Sequence, residues 1–352
     1  MGANMEISYF LGANTADGFV SLYDGFCRGE GDYLRIVKGG PGTGKSGFMR
    51  AIGREAARRA MDVEYVRCSG DPASLDGVYL PALGLGWCDG TAPHAAEPGI
   101  FGVNSDYVNL GQFCRTPLSP ADRERARALT AAYKQKYGRA YALLAAAESA
   151  ERAFFPQESG AKEAARAGAA LCELVARLPA GEKPRLRRRF CGAVSCEGVV
   201  EDRSCLELCK LVYLCEDGCG LAAGALHEAC EAALSRGHDA VLCLSPFDGR
   251  TPDALILSDV SAAFVRAKPQ SAYENVRRIP LDRLWGDMAA VKERRRAVRA
   301  ARREGARYVH AGCETLREAK ALHDELEAVY RPYMDFAALD ALTARELARL
   351  FS

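Results

Sequence analysis

One stretch of the chain has the residue types and spacing needed to hold phosphate. Gly39-Gly40-Pro41-Gly42-Thr43-Gly44-Lys45-Ser46 fits G-x-x-x-x-G-K-[ST], between the apolar run Leu34-Arg35-Ile36-Val37-Lys38 and a helical stretch. Glycines at 39, 42 and 44 remove side chains, so that successive backbone N–H groups can turn inward around a β-phosphate at the positive end of the following helix. Lys45 would bring a point charge to the β- and γ-phosphates, and the Ser46 hydroxyl a ligand for Mg²⁺ shared with the nucleotide. The expected cradle is Gly39, Gly40, Pro41, Gly42, Thr43, Gly44, Lys45, Ser46 and Gly47. The cofactors would be ATP and Mg²⁺, adenine being favoured because the Asn/Thr-Lys-x-Asp guanine motif is absent.

Such a loop needs an acid at the end of a neighbouring strand to complete the magnesium shell, and Asp71, Asp76 and Asp89 compete for that place. Residues 62–68 read as one strand and 83–88 as another that ends at Asp89. Position favours Asp89 as the metal-side acid beside Ser46. Asp71 and Asp76, within Asp71-Pro72-Ala73-Ser74-Leu75-Asp76-Gly77, read as turn or helix-cap residues. If the phosphoryl group passes to an acceptor rather than to water, Asp71 becomes the candidate base. The candidate catalytic residues are therefore Lys45, Asp89 and Asp71.

The segment Phe10 to Val20 is echoed by Phe190 to Val200 at an offset of 180, and a gap-free offset of 177 continues the match from residue 33 to 81. It pairs Asp62 with Asp239, Asp71 with Asp248 and Asp76 with Asp253. The second copy has lost the phosphate loop, since Leu221, Ala222 and Ala223 stand opposite Gly44, Lys45 and Ser46. Arg266 stands opposite Asp89, so one nucleotide site is expected, with Arg266 a candidate arginine finger completing it from across an interface.

The elements that must carry these residues are two α/β cores with helical segments between and after them. Ser119-Pro120-Ala121-Asp122 opens a long helix running to about Phe155, and a second helix over 161–178 would fold back on it. A second pair is expected near 281–303 and 315–330, with a short closing helix over 339–350. The expected units are a core with the intact loop (1–118), a helical hairpin and linker (119–184), a degenerate second core (185–280) and a C-terminal hairpin and tail (281–352). The fold class is α/β, with tandem P-loop NTPase-like three-layer cores and a helical hairpin inserted in each.

The chain resembles a family of bacterial ATP-binding proteins of uncharacterised role, built from two P-loop NTPase-like halves with a helical insertion in each. The resemblance runs nearly end to end. It is carried by Gly12-Ala13-Asn14-Thr15 with Gly18-Phe19-Val20, by residues 38–46, by Asp71-Pro72 with Leu75-Asp76-Gly77, and by Asp89-Gly90-Thr91-Ala92-Pro93-His94. It implies nucleotide binding and the tandem fold. Members often carry a phosphate loop in each half, so residues 219–223 depart from the pattern and leave at most one ordinary site.

Composition narrows the remaining classes. Over 352 residues, 47 Lys+Arg balance 46 Asp+Glu, so mean charge argues neither for a polyanion-coating protein nor for an acidic tail. No export signal and no membrane-length apolar run is read, which gives a cytoplasmic expectation with no membrane partner. Eight of the 14 cysteines fall between Cys191 and Cys243, but at spacings that suit buried thiols rather than a metal. Lys292 to Arg307 and the arginines at 185, 187, 188 and 189 read as solvated, acid-paired surface, with nucleic acid the alternative partner. His94 and Glu97 are further candidates beside the nucleotide. The expected activity is slow Mg-dependent ATP hydrolysis driving a switch or motor on an unknown macromolecular partner. The alternatives are phosphoryl transfer to a small acceptor and non-hydrolysing nucleotide sensing. Gly90 follows Asp89 where hydrolytic enzymes of the additional-strand type place a water-orienting Glu.

Overall fold

The computed structural model describes residues 4–92, 99–152, 160–266, 276–285 and 287–352. The first half contains β1 (Glu6–Phe10), β2 (Gly12–Thr15), β3 (Gly18–Ser21), β4 (Tyr33–Lys38), α1 (Lys45–Arg58), β5 (Val63–Arg67), β6 (Leu75–Leu80), β7 (Leu85–Asp89) and β8 (Ser105–Asn109). Helices α2 (Pro120–Arg152) and α3 (Ala161–Ala176) follow. The second half repeats the order with β9 (Arg185–Phe190), β10 (Gly192–Ser195), β11 (Gly198–Glu201), α4 (Ser204–Glu207), β12 (Leu211–Glu216), α5 (Ala222–Ser235), β13 (Asp239–Leu244), β14 (Pro252–Leu257), β15 (Ala262–Arg266) and β16 (Val276–Pro280). Helices α6 (Met288–Tyr330) and α7 (Phe336–Phe351) close the chain.

The chain is mixed α/β. Its large sheet has twelve strands among the described residues, in the order β8-β4-β7-β6-β5-β1-β9-β13-β14-β15-β12-β16. Read outward from the centre, the two halves list equivalent strands in the same order. At the seam β1 meets β9 antiparallel through Phe10 and Phe190, the last residue of each strand. The C-terminal strand ends of the two halves therefore face one another across the seam. Within each half of this sheet the strands are parallel except β6 and β14, which are inserted by hairpin connections, while β2–β3 and β10–β11 form separate antiparallel hairpins.

That insertion corrects the three-layer expectation. Hairpin-connected strands need no crossover helix, so the longer helices that pack on the sheet lie on one face, α1 and α7 over the first half and α5 and α3 over the second, with the four-residue α4 on the other. The other face is continuous across both halves, from Ile7, Leu34 and Ile36 to Val212 and Ile256, and it is closed by Tyr23, Phe26 and the short α4. Alternation along β12 sends Val212 and Leu214 to this face and Tyr213 and Cys215 to the helical one. The clustered cysteines divide the same way, which accounts for their irregular spacing. Burial pushes the thiols of Cys215 and Cys205 up to about 12.

The two halves are locked together beneath the seam. Arg189 of β9 reaches Glu64 of β5 at 2.7 Å, Tyr9 of β1 donates to the same carboxylate at 2.8 Å, and the guanidinium lies over the Tyr9 ring at 3.7 Å. Burial drives the Tyr9 phenol well above its usual range.

The helical parts differ from expectation. Residues 288–330 form one helix of 43 residues, about 65 Å long, not a hairpin. No proline interrupts 304–314, and Gly305 and Gly312 face α2 rather than ending the helix. A Cβ on Gly305 would lie 2.8 Å from Glu151 Oε1, and one on Gly312 3.3 Å from Leu144. α2 runs antiparallel along α6, while α3 leaves α2 to pack on α5. The expected hairpin in each half is thus replaced by a single two-helix bar shared by both halves. Among the described residues no helix is long and apolar enough to cross a membrane.

Candidate functional site

Strand β4 lies between β7 and β8, with Val37 opposite Asp89 and Lys38 opposite Asn109, so three strand ends converge where the chain enters the glycine loop. The loop turns through left-handed backbone at Gly42 (φ 67°) and Gly44 (φ 83°) and passes into α1 at Lys45. Space also demands glycine: a Cβ on Gly39 would lie 2.4 Å from Thr43 Oγ1, and one on Gly44 2.6 Å from Leu339 of α7. Thr43 Oγ1 donates to the Gly40 carbonyl at 2.8 Å, bracing the loop.

Lys45 Nζ donates to the carbonyls of Gly39 (2.9 Å) and Gly40 (3.0 Å) and stands 3.7 Å from Asp89 Oδ2. The structure thus brings Lys45 and Asp89 together. Thr91 fixes the other oxygen of Asp89, donating through N–H at 2.8 Å and Oγ1 at 2.6 Å. Ser46 Oγ accepts the Leu75 N–H at 2.9 Å, which leaves its proton and a lone pair to spend. Among the described residues no side chain caps the N terminus of α1, so its leading N–H groups face the loop unfilled.

Asp71 is held by partners outside this group. Its carboxylate accepts from Ser74 Oγ (2.9 Å) and the Ala73 N–H (3.3 Å), and Lys320 of α6 lies 3.5 Å away. The counterpart Asp248 closes an equivalent turn by accepting from the N–H groups of Arg250 and Thr251. Asp76 accepts from Tyr23 Oη at 3.2 Å. His94 and Glu97 lie outside the described residues.

The second half gives the same frame a different filling. Tyr33 and Leu211 hold equivalent places, facing Leu85 and Ala262, so β12 is offset by one residue from the gap-free alignment. The loop is correspondingly shorter, five residues (Asp217–Leu221) against six (Gly39–Gly44). Asp282, itself 3% exposed, accepts the N–H of Gly218 (3.1 Å) and of Cys219 (2.9 Å), while Asp217 accepts that of Leu221 (2.6 Å). A carboxylate from the chain thus occupies the amides that would otherwise meet an anion. Arg295 of α6 holds Asp282 at 2.6 Å, and Arg294 donates to the Cys219 carbonyl at 3.2 Å. Burial and the bond to Asp282 push the Cys219 thiol up to about 12.

Sequence reasoning missed Asp282 and its counterpart. Leu110 and Leu281, both buried, follow β8 and β16, which makes Gly111 the equivalent of Asp282. Gly111 lies against the first loop, 3.5 Å from where a Cβ on Gly39 would stand. The signal was hidden because the segment between β7 and β8 is longer than that between β15 and β16, shifting the offset.

Arg266 is engaged within its own half. It pairs with Asp253 at 2.5 Å, each one step beyond the Ala254–Val265 pair, as Asp76 and Asp89 are beyond Gly77–Cys88. Eight strand spacings, about 38 Å, separate β15 from β4, so Arg266 serves its own half and is no finger for the glycine loop of the same chain. Four of the twelve cations in the two basic runs pair with acids in this way: Arg187 with Asp239, Arg189 with Glu64, Arg295 with Asp282 and Arg307 with Glu304.

Removing Asp282 should strand the loop amides and free Arg295. Asp282→Ala is expected to cost about 2 kcal/mol, the range for bonds to a charged acceptor, and millimolar sulfate should recover part of the lost melting temperature in the variant but not in the parent. Equal sulfate responses would mean that the amides are not an anion cradle.

Comparison with protein-family models, with curated proteins and with solved structures gave no match to the chain.

Proposed function

We propose that the chain binds one Mg²⁺–nucleoside triphosphate, with adenine the favoured base, in the glycine loop of the first half, and hydrolyses it slowly. The observation that carries this reading is the contrast between the two loops. In the first, uncapped amides, Lys45, Ser46 and Asp89 converge; in the second, a carboxylate fills the amides and alanine stands in place of the lysine. An incoming β-phosphate would exchange for the Gly39 and Gly40 carbonyls as the partner of Lys45, with Ser46 and Asp89 on the metal side. The resemblance to two-half P-loop NTPase-like proteins supports the same site and the tandem architecture.

Hydrolysis is expected to be slow because Gly90, not an acid, follows Asp89. β7 borders β4 with no strand between them, so the Asp-Glu pair of the additional-strand type is not the pattern this sheet follows. The alternative is phosphoryl transfer to a small acceptor, with Asp71, held by Ser74 and beside Lys320, as its candidate base. The helical bar is the element a switch would move: Glu327 of α6 lies 3.1–3.4 Å from a Cβ placed on Gly42, and Leu339 of α7 presses on Gly44.

Calorimetric titration with Mg·ATP and Mg·GTP, paired with phosphate-release kinetics, tests the reading. One adenine nucleotide per chain with slow release is expected. Two nucleotides per chain, or none, would overturn it; one nucleotide without release would leave a sensor.

A further inference from the structure

The cations of α2 divide into two sets. On the side facing α6, Lys136 pairs with Glu318 and Arg125 lies 3.9 Å from Glu325. On the other side Arg123 and Lys134 make no ion pair among the described residues. Arg127 reaches only Glu124, at 3.6 Å, with both side chains at least 75% exposed.

Arg123, Arg127 and Lys134 line one groove of about 600 Å³, with Leu118, Thr130 and Tyr330 among its walls. Positions 123, 127, 130 and 134 fall on one helical face. They extend over about 16 Å of helix axis, an open row of charges rather than a pocket closing on a single phosphate. A groove of this volume can take part of one strand along the helix, and an aromatic wall favours unpaired bases over a duplex. Tyr330 adds a half-buried ring at the end of α6, as base stacking requires.

We propose that this groove binds single-stranded nucleic acid, Arg123, Arg127 and Lys134 holding successive backbone phosphates and Tyr330 stacking a base. The site lies on α2 and does not depend on the nucleotide reading above. Arg185 and Arg188, which sequence alone singled out, lie on β9 and outside the groove.

Fluorescence anisotropy of labelled dT15 and U15 with the full chain, without nucleotide and again in Lys45→Ala, is the test. Three phosphate contacts to a single strand give a slope of log K against log salt of about −2, hence roughly twentyfold weaker binding from 50 to 200 mM salt. Lys134→Ala or Arg127→Gln alone should flatten the slope by about 0.7, and Tyr330→Ala should weaken binding about tenfold without changing the slope. Lys134→Ala and Arg127→Gln alter exposed side chains and should keep the parent melting temperature, whereas Tyr330 also packs against Leu129 and Leu326, so Tyr330→Phe, which keeps the ring, should bind as the parent does. A slope near zero, a loss that follows Arg185→Ala and Arg188→Ala instead, equal affinity for duplex DNA, or displacement by inorganic phosphate at constant ionic strength would each overturn the proposal. Binding that persists in Lys45→Ala separates this groove from the nucleotide site.

Discussion

Gly111→Asp is expected to abolish Mg·ATP binding while leaving the protein folded. The substitution places over the first loop the carboxylate that Asp282 places over the second, where it accepts from Gly218 and Cys219. A fixed anion in the cradle competes for the same amides and repels the triphosphate, and the dissociation constant should rise by at least about a hundredfold, near 2.7 kcal/mol. Gly111 has no left-handed backbone to lose, and a Cβ there meets Asn109 Oδ1 at 3.1 Å, a contact that a side-chain rotation relieves. Gly111→Ala is the control for size: it should bind within a few-fold of the parent. Lys45→Ala should match Gly111→Asp in the size of its loss, because it removes the charge held 3.7 Å from Asp89. If Gly111→Asp binds Mg·ATP as the parent does, the two loops are not equivalent cradles and the proposed site fails with them.

The second large effect concerns stability. Arg189→Ala should cost about 3–5 kcal/mol, because it leaves Glu64 buried without its cation. Both side chains are only 7% exposed, and Tyr9 donates to the same carboxylate. Urea denaturation measures the loss directly. The double variant Arg189→Met with Glu64→Leu should recover most of it, since exchanging a buried pair for apolar groups of similar size is often neutral. A loss below about 1 kcal/mol, the value of exposed pairs, would mean that water reaches the seam. The pair joins β5 of one half to β9 of the other, so its removal should also show whether the halves unfold together.

Much of the first half was legible in the sequence because its signals are local. The glycine loop, the strand before it and the helix after it lie within one short stretch, and the apolar run ending at Asp89 is a strand that ends there. The repeat was legible in part: Phe10 and Phe190, equivalent at an offset of 180, are the residues that meet at the seam. What stayed hidden depends on distant contacts. Asp282 looks like any polar residue after a strand until the fold brings it onto Gly218. Arg266, opposite Asp89 in the alignment, could be read as a finger because sequence carries no distance. The expected break between 303 and 315 falls where Gly305 and Gly312 give α2 room for close packing, and the helix continues through both. The turn role of Asp71 was legible from Asp-Pro-x-Ser alone, because the hydrogen bond it makes is local.

The bar of α6 rests on both loops, through Arg294 and Arg295 at one end and Glu327 at the other. Nine strand spacings separate β12 from β4, about 43 Å, and the helix between residues 295 and 327 rises about 48 Å. Helix and sheet are therefore commensurate, at roughly three helical residues per strand crossed. The width of the sheet fixes how long the helix has to be. Insertion or deletion of a single turn in the middle of α6 would preserve every local preference of the chain and still pull one end off its loop.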